Sequence, residues 1–177
     1  NPKGTLLAVG YSDGLAELRD TTALSLVFQF ANNKPDSLSS VKVAFSTSGA
    51  TLAISADKKI AFWDMTEPES PQKLSELKHP HEYKNITNLF FLPAYENYLV
   101  SIGEDNAFRV WDLENPENPK RFNEINAAVG VISMTISNDR LYGIVMASNR
   151  YLYFYDYQFA LIGIYDYTSS QPEPIRT

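Results

Sequence analysis

Apolar residues in this chain recur at every second position over short runs. They are not spaced for the face of a helix, and no stretch reads as an amphipathic helix. Four segments share one layout: AVGYSDGLAELRD (8–20), LAISADKKIAFWD (52–64), VSIGEDNAFRVWD (100–112) and IVMASNRYLYFYD (144–156). In each, a short apolar run such as Leu6–Val9 or Leu99–Ile102 leads into a polar pair, and a second run alternates up to a closing aspartate. The polar pairs are Asp-Gly, Asp-Lys, Asp-Asn and Asn-Arg, whose short first side chains tolerate left-handed backbone and bond it locally, so each predicts a tight turn between two strands. On the second strand, Ala16 and Leu18, Ile60 and Phe62, Phe108 and Val110, and Leu152 and Phe154 form an apolar face. Glu17, Ala61, Arg109 and Tyr153 vary between them, as a less constrained opposite face would.

The closing residues Asp20, Asp64, Asp112 and Asp156 are 44, 48 and 44 positions apart, and seven residues before each stands Asp13, Asp57, Asp105 or Asn149. One offset met four times marks an internal repeat. Further strands are expected upstream of the hairpins, at Val41–Phe45, Ile86–Leu92 and Val129–Ile136. Others are expected downstream, at Leu26–Phe30, Lys73–Leu77, Arg121–Ile125 and Leu161–Tyr165. Each unit therefore predicts four antiparallel strands in about 45 residues. The units span roughly 1–30 (incomplete), 41–77, 86–125 and 129–165, followed by a tail or linker over 166–177.

A four-stranded unit of this period ending in Trp-Asp resembles the WD-repeat family of β-propellers. The resemblance covers nearly the whole chain. It is strongest at 57–64 and 105–112, where Trp63 and Trp111 precede the aspartate; Arg19 and Tyr155 stand in that place in the outer repeats. It implies an all-β fold of about four propeller blades. It also implies a buried hydrogen-bonded set of His, Ser, Asp and Trp, which the third repeat could supply as His81, Ser101, Asp105 and Trp111. The second repeat has Ser55, Asp57 and Trp63 but no His in NKPDSLSS, so blades in this divergent member are expected to rely more on packing. Four blades fall short of a closed ring, and NPKGTLL begins at the turn after a missing first strand. The expectation is a segment of a larger propeller, with a half-propeller completed by another chain as the alternative.

Composition narrows the function. The chain of 177 residues has 44% hydrophobic and 13% aromatic residues, including eleven Tyr and ten Phe, which suits a strand-rich core. It has no cysteine, so disulfides and thiolate metal sites are excluded, in keeping with a reducing, intracellular setting. A net charge of −6 disfavours direct nucleic-acid binding. No apolar run approaches the roughly 20 residues of a membrane span, and no membrane partner is expected. The first residue is Asn, which suggests a longer product.

Chemistry-bearing motifs are sparse. The repeated aspartates occur in every copy, which points to turns rather than to an acid pair. His79, His81 and Glu82 in HPHEY lack a third His or Cys for a zinc set, and no GxSxG elbow or glycine-rich phosphate loop is present. Neither cofactor, metal nor small-molecule substrate is expected, and no enzyme activity. RYLYFYDYQF (150–159) places Tyr151, Tyr153 and Tyr155 on a face expected to pack toward a following blade. The loops in FWDMTEPESPQK and VWDLENPENPKR carry Glu67, Glu69, Glu114 and Glu117, stiffened by Pro68, Pro71, Pro116 and Pro119. In adjacent blades they would project from one rim and attract a basic partner. The resemblance implies a non-catalytic scaffold that holds other proteins in a multi-subunit complex. AVGYSDGLAEL, HEYKNITNLFF and SIGEDNAFRVWDL resemble WD-repeat scaffolds of the ciliary axoneme, which implies cytoplasm or cilium. GEDNAFRVW equally resembles propellers of the nucleolar small-subunit ribosome machinery, which implies nucleus or nucleolus. A module that captures short peptides is the other class left open.

Overall fold

A computed structural model describes residues 1–30, 40–56, 58–93, 95–126, 133–136, 144–147, 151–156, 158–166 and 174–175. Asp57, Asn149 and the start of the strand expected at 129–136 lie outside them. Among the described residues all regular structure is β.

Four antiparallel sheets follow one another along the chain. The first holds β1 (Leu6–Gly10), β2 (Ala16–Asp20) and β3 (Leu26–Phe30). The second holds β4 (Lys42–Phe45), β5 (Thr51–Ala56), β6 (Lys59–Asp64) and β7 (Gln72–Lys78). The third holds β8 (Ile86–Phe91), β9 (Tyr98–Gly103), β10 (Ala107–Asp112) and β11 (Lys120–Asn126). The fourth holds β12 (Ser133–Ile136), β13 (Ile144–Ala147), β14 (Tyr151–Tyr155) and β15 (Leu161–Asp166). A short β16 (Pro174–Ile175) pairs with β15 as a fifth strand, in the stretch the sequence suggested as a tail. Each sheet is a simple up-and-down meander in chain order, as in a propeller blade.

The sheets pack face to face through three apolar layers. Ala16 and Leu18 meet Leu52, Ile54 and Met65 between the first and second sheets. Ile60 and Phe62 meet Leu89, Leu99 and Trp111 between the second and third. Phe108 and Val110 meet Tyr155 and Phe159 between the third and fourth, with the Tyr155 ring edge-on to Phe108 at 5.4 Å. In the first three sheets the apolar pair on β2, β6 or β10 thus faces the following sheet, and Trp63, Trp111 and Tyr155 face the preceding one. Tyr155 packs backward onto the third sheet, and Tyr153 lies against the same layer, opposite to the forward direction expected of the tyrosine face. Alternation fixes which residues share a face, but not which neighbour that face meets.

A β-bulge recurs where the strand ending in the closing aspartate pairs with the next one: β2–β3, β6–β7, β10–β11 and β14–β15. It lies between Leu18 and Arg19, Phe62 and Trp63, Val110 and Trp111, and Phe154 and Tyr155. An extra residue on the outer strand at this point adds local twist, so all four blades twist at the same level.

The closing aspartates have a common role. Asp20, Asp64, Asp112 and Asp156 accept the backbone N–H two residues on, from Thr22, Thr66, Glu114 and Gln158, at 2.8 to 2.9 Å. Each starts the loop to the fourth strand as an Asx turn. The next residue then docks on an earlier turn of its own unit. Thr21, Met65 and Leu113 donate to the carbonyls of Thr5, Ala50 and Asn97. In the hairpins, Asp13 and Asp105 accept Leu15 N–H and Ala107 N–H at 3.1 and 3.2 Å.

The first and second sheets meet closely at Gly10. A Cβ there would stand 2.5 Å from the Val41 carbonyl oxygen, and Val41 N–H bonds Tyr11 O in the same crossing. Gly10→Ala should destabilise the fold by about 1–3 kcal/mol through overpacking against backbone that cannot yield, read as a lower midpoint in chemical denaturation followed by circular dichroism.

Candidate functional site

The third blade contains the densest polar grouping. The His81 ring lies between Ser101 and Asp105, with Nε2 2.7 Å from Ser101 Oγ and Nδ1 2.9 Å from Asp105 Oδ1. Trp111 Nε1–H donates to the same Ser101 Oγ at 2.9 Å. Trp can only donate, so Ser101 accepts from Trp111; the ionised Asp105 can only accept, so the neutral ring is protonated on Nδ1 and Nε2 accepts the Ser101 proton. Arg109 completes the set. Its guanidinium donates to Asp105 Oδ2 and to Glu124 at 3.2 and 3.3 Å, and Arg121 reaches Glu124 from outside. One nitrogen of Arg109 lies 2.6 Å from His81 Nδ1, which is already committed to Asp105.

Local structure explains each placement. His81 lies in a turn where Lys84 N–H bonds His81 O, and Glu82 and Tyr83 adopt left-handed backbone. This turn takes up the length between His81 and Ile86. Gly103 clears the space, since a Cβ there would stand 2.4 Å from His81 Nδ1 and 2.7 Å from Asp105 Oδ1. Ser101 and Arg109 are directly opposed across β9 and β10, and Glu124 is opposite Arg109 across β11.

Arg109 corrects the sequence expectation of a less constrained face, for only 3% of it is exposed. Its charge is balanced by two carboxylates, which is what lets it be buried. The signal available in sequence was Glu124, which strand pairing sets across from it.

The electrostatics match this wiring. Burial lowers the His81 pKa, more than the Asp105 hydrogen bond raises it, so the ring is neutral near pH 7. At Asp105 burial pushes the carboxyl up, but the hydrogen bonds from Arg109 and His81 outweigh it and leave it below its ordinary value.

Ser101, His81 and Asp105 share the connectivity of a Ser-His-Asp catalytic triad. Ser101 and His81 are both wholly buried, and the serine oxygen is taken by Trp111. No substrate carbonyl can approach it without opening the blade, so the arrangement acts as a structural clasp between strands.

The second blade lacks this clasp for a register reason. In the first and third sheets the hairpin pairs are equidistant from Asp13 and Asp105, as with Gly10 and Ala16 or Ile102 and Phe108. In the second, Ala56 pairs with Lys59, so pairing is centred half a residue later. A one-residue change in register sends a side chain to the other face. Ser55 is thereby opposite Ile60 and turned from Trp63; its hydroxyl accepts Lys42 N–H at 3.2 Å. Ile54 holds the place equivalent to Ser101. Trp63 Nε1 is buried without a hydrogen-bond partner, and its ring packs edge-on to Phe30 at 5.0 Å.

In the first blade Arg19 takes the Trp place and donates through Nε and a terminal nitrogen to Glu17, which also accepts from Tyr11. His79 stacks on Tyr83 with ring centres 4.0 Å apart, while His81 points inward, so the two histidines share no ligand. Among the described residues no group of three metal-ligating side chains forms.

The acidic loops join β6 to β7 and β10 to β11. The docking of Met65 on Ala50 and of Leu113 on Asn97 sets both at the same end of adjacent sheets. Ser75 Oγ on β7 donates to Pro116 O, tying the loop of the third blade to the second. Glu67, Glu69, Glu114 and Glu117 are all exposed. Sequence reasoning missed what lies beside them: Tyr95, Glu96, Asn97 and Tyr98 join Asp112 and Glu114 around a cavity of about 340 Å³.

Comparison with known proteins places the fold. The chain is similar to the crystal structure of the β-propeller domain of Myceliophteria thermophila Cps50 (Swd1), with a TM-score of 0.73 and 13% identity over 93% of this chain. It spans about half, 52%, of that solved chain. No family model matches the sequence, and no curated protein does. The four sheets are thus a β-propeller half by structure, at a sequence distance that carries the fold alone.

Removing a hydrogen bond should cost most where a partner stays buried. Trp111→Phe, which removes a donor from the buried Ser101 oxygen and leaves it bonded to His81 alone, should destabilise by about 1–3 kcal/mol, whereas Trp63→Phe, which removes an already unpaired N–H, should cost clearly less; calorimetric unfolding of the two variants checks the contrast. The depressed His81 pKa makes its contribution present above the unfolded value near 6.5 and lost as pH falls below it toward the folded value. Stability should therefore drop on acidification through that window, and the His81→Gln variant should show a flatter profile in denaturation at stepped pH.

Proposed function

We propose that this chain is part of a non-catalytic scaffold that holds other proteins in a multi-subunit assembly. The observation carrying this reading is the pair of proline-stiffened acidic loops, held at one end of adjacent blades by main-chain bonds to Ala50 and Asn97. Carboxylates fixed on a rigid rim attract a basic surface and speed its encounter without further ordering. The buried Ser-His-Asp grouping supports the same reading, since its members are spent on one another. For the setting, the resemblance of AVGYSDGLAEL, HEYKNITNLFF and SIGEDNAFRVWDL to axonemal scaffolds favours cytoplasm or cilium.

Affinity purification of the intact protein from its native source, with partners identified by mass spectrometry, tests this. Stable co-purifying proteins are expected, and their retention should fall when Glu67, Glu69, Glu114 and Glu117 are all changed to Lys. Axonemal or microtubule proteins would support the ciliary setting; ribosome-assembly factors would replace it with the nucleolar one. Absence of any stable partner would overturn the scaffold reading.

A further inference from the structure

An aromatic shelf borders the cavity beside the 92–98 turn. Tyr98 is stacked on Phe122 with centroids 4.8 Å apart and planes at 29°, and Phe122 meets Phe159 edge-on at 6.2 Å. Tyr95 stands 5.6 Å from Tyr98 with planes at 49°. Phe122 and Tyr95 are 54% and 37% exposed.

The geometry is held by backbone. Tyr98 N–H bonds Tyr95 O, Leu113 N–H bonds Asn97 O at 2.8 Å, and Glu114 N–H bonds Asp112 Oδ1 at 2.8 Å. The two segments that line the cavity are therefore locked together before any ligand arrives.

The charge is one-sided. Of the six lining residues three are acids, Glu96, Asp112 and Glu114, and none is basic. Lys120 is opposite Asp112 across the strands, yet among the described residues none of the three carboxylates makes an ion pair. The field is felt locally: burial first, then the charges of Asp112, Tyr95 and Glu114, raise the pKa of the Tyr98 phenol.

We propose that this cavity and its aromatic shelf receive an arginine side chain presented by a partner protein, a reading that rests on the scaffold function above and names the chemistry of its docking. Three carboxylates with no basic residue among the described lining favour a cation. Ring faces at the mouth add attraction for it. A guanidinium is favoured over an ammonium because it is planar, stacks on an aromatic ring and fans out five donors to several acceptors at once. A phosphate-bearing surface is repelled by the same carboxylates.

The test is calorimetric titration of the intact protein with an acetylated, amidated Gly-Ser-Arg-Gly-Ser peptide and its lysine and citrulline counterparts. Citrulline keeps the shape of arginine without its charge. The arginine peptide is expected to bind, the lysine peptide about fivefold more weakly, and the citrulline peptide not measurably. The double variant Glu96→Gln/Glu114→Gln and the single variant Tyr95→Ala should each weaken arginine binding about tenfold. All three positions are exposed, so the fold is retained, checked by an unchanged circular dichroism spectrum. Glu82→Gln, an exposed carboxylate on the turn before β8 and outside the cavity, should leave the affinity unchanged.

The proposal is overturned if the arginine peptide does not bind, if citrulline binds equally, or if the control variant loses as much affinity as the cavity variants. Partner capture by the intact protein separates the two levels. Capture that persists undiminished in the Glu96→Gln/Glu114→Gln variant sinks the arginine site and leaves the scaffold reading in place; the absence of partners in wild type alongside cavity-dependent peptide binding sinks the scaffold reading instead.

Discussion

Everything in this structure depends on burying one sheet face against the next. A single four-stranded meander has two faces and cannot cover either alone. Here β2, β6 and β10 each present a small or large apolar pair forward, and the following sheet covers it with apolar side chains of its own. Phe62 and Phe108 are fully buried in such layers. The repeat length follows from this: each unit must return the chain to the same height and angle, and the recurrent bulge before Arg19, Trp63, Trp111 and Tyr155 repeats the twist that makes this possible.

Polar clasps are then added unevenly. The third blade ties three of its strands and the preceding turn together through Trp111, Ser101, His81, Asp105, Arg109 and Glu124. The second reaches a similar fold with Ile54 and Ala61 where Ser101 and Arg109 stand, leaving the Trp63 N–H unpaired. The contrast shows that apolar burial between sheets builds the blade, while the hydrogen-bonded chain makes one blade more specific at the cost of desolvating several charged groups. The same internal wiring keeps a Ser-His-Asp triad from meeting solvent.

The rim is where blades differ to useful effect. Long acidic loops occur only in the two inner repeats, and there the main chain ties them to the turns beside them. In the third blade that turn brings Tyr95 and Tyr98, so charge and aromatic surface meet around one cavity. A rigid frame presenting a few divergent loops is a common way for repeat folds to acquire partners.

The sequence by itself determined the strands, their order and the repeat, because a period of two, turn-forming Asp pairs and a fixed offset between aspartates are local signals. It also marked the aspartates as turn formers, since a short carboxylate reaches the backbone N–H two residues on whatever surrounds it. Tertiary structure alone decided which neighbour each face meets, so Tyr155 turned backward onto Phe108. It decided the half-residue shift in hairpin centring, which carries Ser55 to the wrong face for Trp63 while Ser101 reaches Trp111. It decided that Arg109 is buried, because only the strand register sets Glu124 across from it. It also assembled the cavity, whose two lining segments join through the Asp112–Tyr98 strand pairing and the Leu113–Asn97 hydrogen bond. Each of these depends on where a distant strand or loop lands in space, and no local pattern of residues encodes that position.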